Sequence, residues 1–152
     1  MVEDDLAVRE GQLLERLQGY RQEVLEFTRE LISTDSANPP GDERAVAELV
    51  VGRLHQLGIQ DVETVGPEEE RPSVVARVSG ASDGSNLILS GHIDTKPAGD
   101  LEAWETDPWD PVILEDRLYG LGSGDMKAAV AAMVYAAAGL QETGLPSGTL
   151  QL

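Results

Sequence analysis

Cysteine is absent from the 152 residues, which excludes disulfide frameworks, zinc knuckles, thiol nucleophiles and iron–sulfur clusters. Any metal must therefore sit on histidine and carboxylates, and the only histidines are His55 and His92. Positive charge is scarce as well: 11 Lys and Arg against 28 Asp and Glu give a net charge of −17 and a pI near 4.2. Nine of the bases are Arg, leaving Lys96 and Lys127 as the only lysines. Without a basic cluster, phosphates are repelled rather than steered in, which argues against a nucleic-acid or anionic-membrane partner. No apolar run approaches the roughly 18 residues of a membrane span. The start, Met1-Val2-Glu3-Asp4-Asp5, is acidic where a secretory leader is basic, so the expected address is the cytoplasm. An acid-rich, lysine-poor surface repels itself at low salt and is screened at high salt, the balance found in salt-adapted proteins.

What is present amounts to one domain's length of chain, long enough to bury about 68–70% of its unfolded surface without cross-links. From Leu6 to Ile32 the residues Leu13, Leu17, Tyr20, Val24, Phe27 and Leu31 step by three and four, predicting one long amphipathic helix. Pro39 and Pro40 end it, and Asp42 is placed to cap the next helix. In that helix Val46, Leu49, Val50, Leu54 and Leu57 share a face, and Gly58 is placed as its stop. His55 falls off the stripe and is expected to face solvent. The period then becomes two. Short aliphatic runs at Val62–Val65, Val74–Val78 and Leu87–Leu89 predict strands, with Gly66–Pro72 between the first two as a solvated charged loop and nothing more. The polar stretch His92–Pro111 is long for a passive connection and is a candidate functional loop. A small hairpin is expected over Val112–Leu114 and Arg117–Tyr119. An Ala-rich helix follows from Asp125 to about Thr143, buried on most sides, and a last strand starts at Thr149. Helices, strands, then a helix feeding a strand describe an α/β domain with a layered mixed sheet flanked by helices. There is no internal repeat and no linker, so residues 1–152 are read as part of a single domain.

Two constellations carry chemistry. In Leu87-Ile88-Leu89-Ser90-Gly91-His92-Ile93-Asp94 an apolar strand runs out into His92 and, two residues on, Asp94, and alternation puts both side chains on the same side. Loops at strand ends are where α/β folds hold ligands, so the pair suits a metal ligand and the carboxylate that orients it; a His–Asp surface pair is the plainer reading. In Tyr119-Gly120-Leu121-Gly122-Ser123-Gly124-Asp125 the chain turns on three glycines and opens the buried helix with Asp125. That aspartate reads as an ordinary helix cap, with no metal needed. A phosphate cradle is disfavoured, because the glycine spacing is not the dinucleotide fingerprint and Asp125 puts a negative charge where phosphate would sit.

Taken together, Gly91-His92-Ile93-Asp94, Pro97, Gly99-Asp100, Trp104, Pro108-Trp109, Leu118-Tyr119-Gly120, Gly122 and Asp125-Met126-Lys127 resemble the metal-dependent aminoacylase and carboxypeptidase family that includes acetylornithine deacetylase and succinyl-diaminopimelate desuccinylase. Upstream, Leu31-Ile32-Ser33, Asn38-Pro39-Pro40-Gly41 and Glu43 are similar too. The resemblance implies a zinc-exopeptidase-like catalytic domain, truncated, with this chain as its N-terminal part. It implies hydrolysis of an amide in a small N-acyl amino acid or peptide, and two divalent metal ions, zinc or cobalt. In that scheme His92 binds one metal, Asp125 bridges both, Asp94 is the catalytic-site acid that orients an imidazole, and the peptide bond after Asp125 is cis. A carboxylate's two oxygens suit metals roughly 3.5–4 Å apart. The resemblance also implies a homodimer for the full-length protein. It places a glutamate pair, a general base and a ligand, after the strand that starts at Thr149, along with further ligands. With two of the three protein ligands a catalytic zinc usually needs, this chain is expected to bind metal weakly and to be inactive alone. Leu121 stands where relatives commonly have Arg, and Thr95-Lys96 replaces small apolar residues. The competing reading is a non-catalytic, truncated interaction module that pairs through an open sheet edge.

Overall fold

The computed structural model describes residues 2–152, with side chains from Leu6 onward. Met1 and the side chains of residues 2–5, which make up the acidic start, lie outside the described residues. Helices α1 (Val2–Gly19), α2 (Arg21–Ser33) and α3 (Arg44–Gln56) lead into strands β1 (Val62–Val65), β2 (Ser73–Ser79) and β3 (Asn86–Ile88). A hairpin, β4 (Val112–Leu114) and β5 (Arg117–Tyr119), precedes helix α4 (Ala128–Thr143) and strand β6 (Thr149–Gln151).

The stripe read as one helix from Leu6 to Ile32 is therefore two. The chain breaks after Gly19 at Tyr20, whose φ of −83° and ψ of 1° leave helical geometry. Gly19 is a weak helix former, and the buried Tyr20 ring packs edge-on against Tyr135 with centroids 5.0 Å apart. The stripe is nonetheless the buried one: Tyr20, Phe27 and Leu31 are all in the core. Helix α3 keeps its expected face, with Val46, Val50 and Leu54 buried, and it stops at Gly58 in the left-handed region at φ +83°. Asp42 Oδ1 accepts the Arg44 backbone N–H at 3.3 Å, one position ahead of the N-cap residue Glu43. His55 is exposed, as expected.

The main sheet runs β1-β2-β6-β3, so the last strand in sequence lies in its interior. β1 and β2, and β2 and β6, pair antiparallel, while β3 and β6 pair parallel. The parallel pair is joined by the long route through the hairpin and α4, the kind of crossover that parallel neighbours require. Alternation along β2 turns Val74, Ala76 and Val78 to the core, where with Leu150 they meet residues of all four helices. Arg77, on the other face, pairs with Glu63 at 2.6 Å and Asp61 at 3.5 Å. The hairpin turns on Glu115 and Asp116, both at positive φ (49° and 61°), which matches the right-handed twist of its strands. Among the described residues no helix is long and apolar enough to cross a membrane.

Candidate functional site

At the end of β3 the chain leaves the sheet through Leu89, whose N–H still reaches Gln151 O at 2.8 Å. The segment after α2 then runs alongside it. Ser36 Oγ donates to Ile93 O at 2.8 Å, Thr95 N donates to Ser36 O at 3.0 Å, and Asn38 N donates to Thr95 O at 2.8 Å. This short parallel bridge sets Asn38 beside Asp94, and Asn38 Nδ2 donates to Asp94 Oδ2 at 2.9 Å. The alternation argument holds, since His92 Nδ1 lies 3.0 Å from Asp94 Oδ1 and 3.0 Å from the Asp94 carbonyl oxygen.

The second constellation is pinned from three directions. Leu121 N donates to Pro108 O at 2.7 Å. Gly122, at φ +79°, sits so close to Thr95 that a Cβ would come within 2.7 Å of its Cγ2. Lys127 Nζ, buried, donates to Leu31 O and Thr34 O at 2.7 Å each. Asp125 does not open the helix, which begins only at Ala128; its own φ of −141° and ψ of 92° are extended, and it makes no cap hydrogen bond. The cap reading fails because α4 starts two residues further on than a cap at Asp125 requires, with Lys127 in the N-cap position. The Asp125–Met126 peptide bond is cis, as the resemblance implied, and so are Asn38–Pro39 and Pro39–Pro40. So held, Asp125 Oδ1 meets His92 Nε2 at 2.9 Å.

The ring of His92 is thus flanked by carboxylates on both nitrogens. The hydrogen bond to Asp125, supported by Asp94, holds its pKa above the ordinary imidazole value. The Asn38 amide, with His92 beside it, holds the Asp94 carboxyl below the usual range. Desolvation pushes the buried Lys127 ammonium down to about 8. His92 and Asp94 also line an open cavity of about 400 Å³, whose wall includes Glu43, Arg71, Met133 and Leu152. Arg71 is the residue that sequence reasoning missed, and Glu43, which entered only among the residues of the resemblance, had no role assigned. Arg71 belongs to the loop read as merely solvated, yet its guanidinium pairs with Glu43 at 3.3 Å and lies 3.9 Å from Asp94 Oδ2. The available signal was a single base following the glutamates Glu68, Glu69 and Glu70, too plain to stand out without knowing that α3 brings Glu43 next to it. Among the described residues no group of three or more His, Asp and Glu side chains is arranged to hold a metal, so the donors that converge are His92 and Asp125.

Comparison with known proteins decides the relationship. Residues 88–152 match the family model described as Peptidase family M20/M25/M40. The chain is 36% identical over 119 residues to succinyl-diaminopimelate desuccinylase from Ralstonia nicotianae, an alignment covering 75% of this chain and 30% of the relative. The same enzyme from Leptothrix cholodnii is 39% identical over 115 residues, covering 74% and 30%. Residues 88–152 belong to the M20 peptidase family. The fold of the chain is shared with solved peptidase structures. An M20 family metallo-carboxypeptidase from Sulfolobus solfataricus superposes with a TM-score of 0.75 at 22% identity, covering 86% of this chain and 30% of that one. A di-peptidase from Saccharomyces cerevisiae gives 0.74 at 18% identity, covering 93% and 33%. The chain thus spans about 30% of the length of the curated relatives it matches.

Proposed function

We propose that this chain is the N-terminal part of the single catalytic domain of a metal-dependent amide hydrolase, acting on a small N-acyl amino acid or peptide. The observation that carries the reading is the meeting of His92 Nε2 and Asp125 Oδ1 at 2.9 Å across 33 positions, with Asp94 holding the other ring nitrogen. The donor set fits a borderline divalent cation: an imidazole nitrogen and a carboxylate oxygen suit zinc or cobalt. His92 and Asp125 are the residues that would hold such an ion. It would supply Lewis acidity toward an amide carbonyl. The chain's own residues do the rest of what is assigned to them. Asp94 accepts from Nδ1, so that a metal taking the place of the proton that Nε2 now shares with Asp125 would meet the Nε2 lone pair, and Asn38 fixes Asp94 in turn. The cavity beside His92 and Asp94 has Val130, Met133, Val134 and Leu152 in its wall, an apolar lining for the body of a small substrate. The negative charge of the chain disfavours nucleic acid and anionic membrane as partners, and the cytoplasm remains the proposed compartment.

Two protein donors are fewer than a catalytic metal needs, so the 152-residue chain is expected to bind weakly and to turn over no N-acyl amino acid by itself. The test is a titration with Co²⁺ followed by paramagnetic shifts of the His92 ring protons. Saturable broadening at His92 that is lost in Asp125→Ala, together with broadening of the neighbouring Met126 methyl that is lost in His92→Ala, supports the reading. Binding indifferent to both substitutions overturns it. A second reading, an interaction module, is favoured by the free edge of β3, where Leu87 and Ile88 are exposed. It predicts concentration-dependent association that a Leu87→Lys, Ile88→Lys double variant abolishes, with no response to metal.

A further inference from the structure

Between β1 and β2 the chain swings out and returns through Arg71, and the guanidinium there is held at several points. Its Nε donates to Glu43 Oε2 at 3.3 Å, and its Nη2 lies 3.3 Å from Glu43 Oε1 as an ion pair without a hydrogen bond. Glu43 is only 4% exposed, and a buried carboxylate requires a partner of this kind. The Glu43 N–H also donates to Glu70 O at 2.8 Å, tying the start of α3 to the residue before Arg71. Gly41, at φ +84°, makes room: a Cβ there would stand 3.3 Å from Arg71 Nε and 3.4 Å from Asn38 Oδ1. From this seat Arg71 Nη2 reaches to 3.9 Å of Asp94 Oδ2, the oxygen that already accepts from Asn38, so that Oδ1 is left for His92.

We propose that Arg71, seated on the buried Glu43, is a positioning residue that fixes the Asp94 carboxylate and, through it, the His92 ring in the orientation that presents Nε2 to Asp125 and to a divalent cation. The inference rests on the metal reading above. It has a sign that simple charge does not share. A guanidinium close to a cation site repels the cation, so removing it by Coulomb's law alone tightens binding. Removing a residue that orients a ligand loosens it, by about 10- to 100-fold where such outer partners have been altered.

The experiment titrates the folded chain with Co²⁺ alone, read at the His92 ring protons, for wild type, Arg71→Leu and Arg71→Lys, with circular dichroism as the check on folding. Arg71→Leu is expected to weaken Co²⁺ binding by about tenfold. Arg71→Lys keeps the charge and loses the Nε hydrogen bond to Glu43, and it is expected to weaken binding as well. Unchanged or tighter binding in a folded Arg71→Leu overturns the inference, as does a lowered melting temperature with unaltered affinity, which is what a merely structural role gives. If Arg71→Leu does not fold, Arg71→Lys decides in the same way. Absence of any His92-dependent Co²⁺ binding in the wild type brings down the metal reading and the inference together, whereas His92-dependent binding insensitive to Arg71 brings down the inference alone.

Discussion

Lys127 carries its ammonium group into the interior, 2% exposed, and directs it at the carbonyl oxygens of Leu31 and Thr34. Those carbonyls belong to the last turn and C-cap of α2, where four acceptors have no partner within the helix and the dipole is negative. The residue therefore joins the turn that holds Asp125 to the segment that holds Asn38, two sides of the site. Replacing it by methionine keeps an unbranched stem and removes the donor, which leaves the part-buried Thr34 O without it and Leu31 O with only the Thr34 N–H at 3.3 Å. Lys127→Met is expected to lower the unfolding free energy by about 1–3 kcal/mol, seen as a lower urea midpoint at unchanged slope. A midpoint equal to that of the wild type would mean that the two carbonyls find other donors. In the sequence Lys127 showed only as the third residue of a motif; that its charge is buried depends on α2 ending 93 positions upstream of it, which no local pattern reports.

Among the elements, α1 is docked on α4 by a polar knot. Arg16 donates to both oxygens of Glu142, and the Tyr20 hydroxyl donates to Oε1. These donors hold the Glu142 carboxyl below its ordinary value of 4.5. A depressed carboxylate contributes stability that is complete above the ordinary value and is lost as pH falls through the folded one. Glu142→Gln is thus expected to be less stable than wild type at neutral pH, with the gap closing below about pH 4.5 in acid-unfolding curves; a gap constant with pH would assign the effect to packing. The seat of β6 is as exacting. Gly148, at φ +77°, lies so near Ser85 that a Cβ would come within 1.9 Å of its carbonyl oxygen, so Gly148→Ala is expected to cost more than about 1 kcal/mol in denaturant unfolding. The faces of α2 and α3 and the alternation of β2 were legible because apolar spacing is local, and so were His92 and Asp94, which follow an apolar strand at a spacing of two. The helix break at Tyr20 was not, since the three–four stepping runs straight through it and the break reflects a ring packed on Tyr135. Nor was the place of β6 between β2 and β3, or of Arg71 beside Glu43, because partners 28 to 74 positions apart leave no period to read.

For the molecule as a whole, charge is what the local contacts leave unbalanced. With 28 acids against 11 bases, full pairing would still leave 17 carboxylates without a base. Among the described residues the pairs Arg16–Glu142, Arg44–Asp42, Arg53–Glu30 and Arg77–Glu63 each have at least one largely exposed partner, and such pairs are worth roughly 0–1 kcal/mol each. Raising salt from about 0.01 M to about 1 M shortens the screening length from about 30 Å to about 3 Å. That weakens the few attractions and the many repulsions together, and the repulsions, being more numerous and longer in range, lose more. The melting temperature is therefore expected to climb with sodium chloride over this interval. Chloride is the appropriate anion, because sulfate strengthens apolar burial in any protein and would raise the melting temperature regardless of charge. A melting temperature that stays level or falls in chloride would show that the acids are spaced widely enough on this surface for their repulsion not to matter.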